Sequence, residues 1–196
     1  MKLAIAIVVF ATACGSDDLD SDEKARRAYL ALDGSIERSL ALGFAGFNAA
    51  SSANIDPQTE AGGGGGTLTI TGKVDQGAST NKGMRLAVGM VAYTEGIVVI
   101  DDDLEVDITY DTAADPASQP ALTLSLKGIP TGTLEGTLAG SYTMTGDIKA
   151  DVDLDLTFAG RLMSDGAGGT LRAVGTTRVT GTATSGDGTF IVDVTL

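Results

Sequence analysis

Asp151-Val152-Asp153-Leu154-Asp155-Leu156-Thr157-Phe158 is the stretch that decides how this chain folds. Apolar side chains fall on every second residue and carboxylates or threonine fall between them. That is the period of a β-strand with one face toward a core and one toward water. The same alternation recurs upstream in Leu68, Ile70 and Val74, in Met84, Leu86, Val88 and Met90, and in Leu104, Val106, Ile108 and Tyr110. It continues through Leu122, Leu124 and Leu126, then Leu134, Leu138, Tyr142 and Met144, and closes on Phe190, Val192, Val194 and Leu196. Turn clusters such as Asp75-Gln76-Gly77, Gly128-Ile129-Pro130 and Ser185-Gly186-Asp187-Gly188 separate the runs. About eight to ten antiparallel strands in sequential hairpins are therefore expected over 67–196. No helical stretch interrupts them, which excludes a βαβ parallel sheet.

Upstream the period changes. Ala25, Tyr29, Leu32, Ile36, Leu40, Gly43 and Phe47 step by three or four, one face of an α-helix over 22–48, with Leu30 and Phe44 widening it. Ser21 is the expected N-cap, and Asp22 and Glu23 suit the positive end of the helix dipole. Lys24, Arg27, Asp33, Arg38 and Asn48 are expected on the opposite, solvated face. Residues 49–66, with Asp56-Pro57 and the run Gly62 to Gly66, read as a flexible connector. The glycines are not a phosphate loop, because Gly72-Lys73 is followed by Val74 and the spacing is wrong. The predicted fold is mainly β, with the amphipathic helix packed on a curved antiparallel sheet or incomplete barrel. The alternative is a β-sandwich with a peripheral helix. Tyr29, Phe44 and Phe47 favour the first, since a self-sufficient sandwich would leave them without a partner.

Residues 1–13 carry one Lys, a short apolar run from Leu3 to Phe10, and small residues. This has the form of a signal peptide, and the run is too short to span a bilayer. Ala11-Thr12-Ala13-Cys14 resembles the lipobox of a bacterial lipoprotein signal, with Ala11 at the place most often held by Leu. The resemblance implies lipidation of Cys14, the only cysteine in the chain, and anchoring by acyl chains, with 14–21 as a polar tether. Gly15 rather than Asp follows the cysteine, which on the same resemblance implies the outer membrane of the bacterial cell envelope. In element order, a helix followed by an open antiparallel barrel is similar to many exported bacterial lipoproteins, the lipoprotein carriers of the periplasm among them.

Composition narrows the chemistry. The 196 residues hold 26 acidic and 13 basic side chains, a formal charge of -13, no His and no Trp. Imidazole acid–base and nucleophile chemistry is excluded, and so is a Cys/His zinc cage. Acidity without a basic stripe argues against a nucleic-acid partner. Aromatics at 5% leave few platforms for a sugar ring, so no catalytic pair is assigned among the carboxylates and no cofactor is expected. The candidate cation ligands are Asp101, Asp103, Glu105 and Asp107 on one strand face, joined by Asp111, and Asp151, Asp153 and Asp155 on another. As neighbours these faces would form a like-charge ladder that calcium could relieve; apart, they are solvated surfaces. Asp102 has inward parity, which predicts a bend or bulge at Asp101-Asp102-Asp103. The leading expectation is a lipid-anchored, non-enzymatic structural or interaction module. Its rivals are a half-barrel that binds a lipid or other apolar ligand, with the helix as a lid, and a calcium-binding acidic β protein.

Overall fold

A computed structural model describes residues 17–49, 51–101 and 104–196 of the chain. One helix, α1 (Asp22–Ala49), precedes the strands β1 (Asn54–Ala61), β2 (Gly65–Val74), β3 (Lys82–Thr94), β4 (Val98–Asp101), β5 (Leu104–Val106) and β6 (Ile108–Asp111). After them come β7 (Ala121–Lys127), β8 (Thr133–Gly146), β9 (Ala150–Ser164), β10 (Thr170–Arg172), β11 (Arg178–Ser185) and β12 (Gly188–Thr195). Among the described residues, ten strands form one antiparallel sheet and β4–β5 form a separate hairpin. The order β1-β2-β3-β6-β8-β9-β11-β12 is a pure meander. β6 and β7 occupy one lane, since both pair with β3 and β8, and the chain leaves that lane between them in a short excursion carrying a single turn of 3-10 helix at Pro116–Ser118. β10 and β11 likewise share the far side of β9, with Arg172 opposite Leu162 and Arg178 opposite Ala159.

The outermost lanes, β1 and β12, do not pair with each other, so the sheet is an unclosed barrel. α1 packs on both of them and fills the space the sheet curves around. The helix stripe and the inner face of the sheet make one core, in which Tyr29, Leu32, Ile36 and Leu40 meet the inward side chains of the strands. This is the curved-sheet architecture expected from the alternation, rather than the sandwich. The reason is local to α1: Ala25, Ala28, Ala31, Ser35, Ser39, Gly43 and Gly46 bring its backbone close to the sheet. At Gly43 a Cβ would stand 2.7 Å from Met84 Sδ, so the glycine that weakens the isolated helix is what lets it seat. At its N-terminus the Ser21 hydroxyl accepts from Lys24 N–H at 3.3 Å, as a cap should. Near the other end Lys82, 5% exposed, lies with Nζ 4.2 Å from the centre of the Phe47 ring and donates to the carbonyls of Gly77 and Asp75.

Three expectations are corrected. The connector over 49–66 contains a strand: β1 pairs with β2 from Asn54 opposite Lys73 to Ala61 opposite Thr67. Its polar sequence hid it because β1 is an outer lane, buried at Ile55 alone, with Pro57 at a register shift between Ile55 and Gln58. Proline is tolerated at such an edge bulge. The glycine run forms the turn into β2, and Gly66, with φ of 67°, lies where a Cβ would be 1.9 Å from Ala92 O. The tether over 14–21 is shorter than expected. Leu19 is fully buried, Asp18 bridges Lys149, and Asp17 O accepts from Lys149 N–H at 2.7 Å. Finally, the acidic run from Asp101 to Asp111 is not one strand but the end of β4, then β5, then β6, broken at Asp107. Asp107 and Asp147 satisfy each other's backbone there, Asp107 N–H donating to Asp147 Oδ2 at 2.8 Å and Asp147 N–H to Asp107 O at 3.0 Å.

Candidate functional site

Among the described residues, the carboxylates chosen from the sequence do not converge. Asp101 ends β4, Asp103 lies outside the described residues, and Glu105 sits on the separate β4–β5 hairpin. Asp151, Asp153 and Asp155 are on the outer face of β9, two lanes from β6, with β8 between. Asp107, Asp151 and Asp153 each face a hydroxyl donor rather than another acid. Thr94 Oγ1 donates to Asp107 Oδ1 at 3.0 Å, Thr143 Oγ1 to Asp151 Oδ1 at 2.7 Å, and the Ser141 hydroxyl to Asp153. Asp155 stands between Ala139 and Thr182. The like-charge ladder is thus replaced by carboxylates set against hydroxyls. Among the described residues no cluster of three or more carboxylates, His or Cys could hold a metal ion. Cys14, the lipidation candidate, lies outside the described residues.

The concavity of the sheet is occupied. Between α1 and the inner faces of β6, β8 and β9 only about 10 Å³ remains, lined by Leu19, Tyr29, Leu32, Tyr110, Tyr142 and Leu154 among others. Tyr110 donates to the Ala28 carbonyl at 2.6 Å, tying the sheet to the helix backbone, and its ring meets that of Tyr142 edge-on. Burial pushes both phenols well above their usual pKa, so both stay neutral. The hydroxyls of Tyr142, Ser35 and Ser39 are buried and find no hydrogen-bond partner among the described residues.

Two of the charged groups that sequence reading placed in solvent, Asp33 and Arg38, instead fasten α1 to the sheet. On one flank Arg172, from β10, reaches two carboxylates one helical turn apart. Its Nη1 and Nη2 donate to Asp33 at 2.9 and 2.7 Å, and its Nε donates to Glu37 at 2.7 Å. The side chains of Arg172 and Asp33 are only 11% and 15% exposed. Burial opposes the charge on Arg172, but the two carboxylates outweigh it and hold the guanidinium protonated more firmly than usual. Tyr29 donates to Asp33 at 2.6 Å, and burial followed by that carboxylate raises its phenol well above the usual value. On the other flank Arg38 joins Glu60 of β1 at 2.5 Å and Glu95, beyond β3, at 2.9 Å. Burial alone would raise the Glu95 carboxyl; Arg38, the Tyr93 hydroxyl and the Gly63 N–H together hold it below the ordinary range.

Beside the Arg172 fastening opens a cleft of about 420 Å³. Asp33, Glu37 and Arg172 form one wall, while Leu171, Val174 and Leu196 contribute apolar surface. The loop between β10 and β11 rims it. Sequence reading missed this site, although one signal was present. Asp33 and Glu37 are like charges at i,i+4, which destabilise a helix unless a cation answers them. The cation comes from 135 residues downstream, a distance no periodicity reports. No helix among the described residues is long and apolar enough to cross a membrane. Comparison with known proteins matches no family model, no curated protein and no solved structure.

Proposed function

We propose that this chain is a lipid-anchored bacterial envelope protein, exported and held at the outer membrane by an acylated Cys14, whose folded body is a non-enzymatic structural or interaction module. The observation that carries the module reading is the filled concavity: α1 leaves about 10 Å³ where a carrier would keep a chamber. Small-molecule pockets are on the order of 300–1,000 Å³. The anchor rests on Ala11-Thr12-Ala13-Cys14 and the apolar run before it. Asp17, fixed to Lys149, is three residues past Cys14, so the body stands within about 10 Å of extended chain from its lipid. It is a module held close to the surface rather than one on a long leash.

Mass spectrometry of the protein made in a bacterium that processes lipoproteins tests the anchor. The expected N-terminal peptide starts at Cys14 and carries acyl chains, and Cys14→Ser abolishes both the acylation and the membrane fraction. A free, unacylated N-terminus beyond Cys14 contradicts it.

The reading of a half-barrel for an apolar ligand, with α1 as a lid, draws on the hydroxyls of Ser35, Ser39 and Tyr142 at the helix–sheet interface, which find no partner among the described residues. A buried hydroxyl left unpaired costs about 1–3 kcal/mol, which a displaced helix would recover. Against that stand the fastenings on both flanks of α1 and the apolar stripe it would have to expose.

A further inference from the structure

We propose that the cleft beside Arg172 is a binding site for a small amphiphile with an aliphatic chain and a cationic, ammonium-type head. The inference goes beyond the anchored-module reading and does not depend on acylation of Cys14. Its volume, about 420 Å³, falls within the range of small-molecule pockets. Its apolar surface is left to water: Val174 on the rim is 92% exposed, beside Ala173 and Leu196. Covering that surface supplies the affinity for a chain.

The charge of the wall selects the head. Two carboxylates face one guanidinium, a formal excess of one negative charge. The Nε, Nη1 and Nη2 of Arg172 all donate to Asp33 or Glu37, so the guanidinium is already committed and an arriving anion would meet carboxylate oxygens. A cation meets the same oxygens favourably. Glu37, with its side chain 31% exposed, is the accessible one. In the same wall Thr177 is buried, and its Oγ1 makes no hydrogen bond among the described residues. Its Oγ1 lies against Gly160 of β9, however, so the carboxylates alone select the head.

Titration of the full chain with octylammonium chloride, followed by amide chemical shifts and calorimetry, tests the proposal, with sodium octyl sulfate as the matched anion. Saturable one-to-one binding is expected, with shifts confined to the loop between β10 and β11, Leu196 and the middle of α1. Octylammonium should bind about tenfold more tightly than octyl sulfate at low salt. Glu37→Gln, which keeps a hydrogen-bond acceptor for Arg172, should remove most of that preference, and Ala173→Trp should abolish binding by filling the cleft. Since Ala173→Trp could perturb the fold, Val174→Ser on the exposed rim is the second variant, expected to weaken both ligands equally. Equal affinity for the two amphiphiles, absence of saturation, or shifts centred elsewhere on the sheet would each overturn the site.

Discussion

Arg172→Ala is expected to lower the unfolding free energy by about 3 kcal/mol, because it leaves Asp33 and Glu37 as partly buried carboxylates without their cation. The lower part of the usual range applies, since the adjacent cleft lets Glu37 turn toward water. The loss is one of an answered charge, not of a favourable pair as such. Replacing the whole cluster by apolar side chains, Arg172→Met with Asp33→Leu and Glu37→Leu, is therefore expected to restore most of the stability or exceed it. Urea unfolding of the single and triple variants measures both. A single variant within about 0.5 kcal/mol of the parent, the scale of an exposed pair, would show the fastening to be a surface contact.

Leu32→Ala is expected to cost about 3–4 kcal/mol, as the removal of a fully buried side chain from a core that cannot collapse around the void. Leu32 already borders the small space under Tyr142, so the cavity it leaves joins existing volume. The form of the transition matters as much as its midpoint. With α1 as part of the core, the variant should unfold in one step with an unchanged denaturant slope. With α1 as a lid, it should show an early transition in which the helix leaves and the sheet persists.

The strands were legible because burial on one face forces period two, and an interior lane such as β9 cannot depart from it without reversing every side chain. β1 was not, because an outer lane buries little: only Ile55 is buried and Pro57 sits on a bulge, which leaves a polar stretch that reads as a connector. The stripe of α1 was legible for the same reason as β9. Its supposedly solvated face was not, since Asp33 and Arg38 are drawn under by partners on β10, on β1 and beyond β3. Alternation also marked the acidic residues as outward but could not say which lanes adjoin. The hydroxyls of Ser141 and Thr143 that face Asp153 and Asp151 come from register, not from composition. Of the candidate sites, the proposed anchor at Cys14 rests on local sequence alone, whereas the Arg172 cleft exists only once β10 meets α1.

α1 packs as part of the core of the unclosed barrel, and a lid over that barrel would behave differently. Hydrogen exchange of the full chain, read by peptide or by residue, tests this most directly. Amides from Tyr29 to Leu40 are expected to exchange as slowly as those of β8 and β9, opening only with global unfolding. Exchange of the helix orders of magnitude faster than the strands, with the sheet still protected, would contradict it.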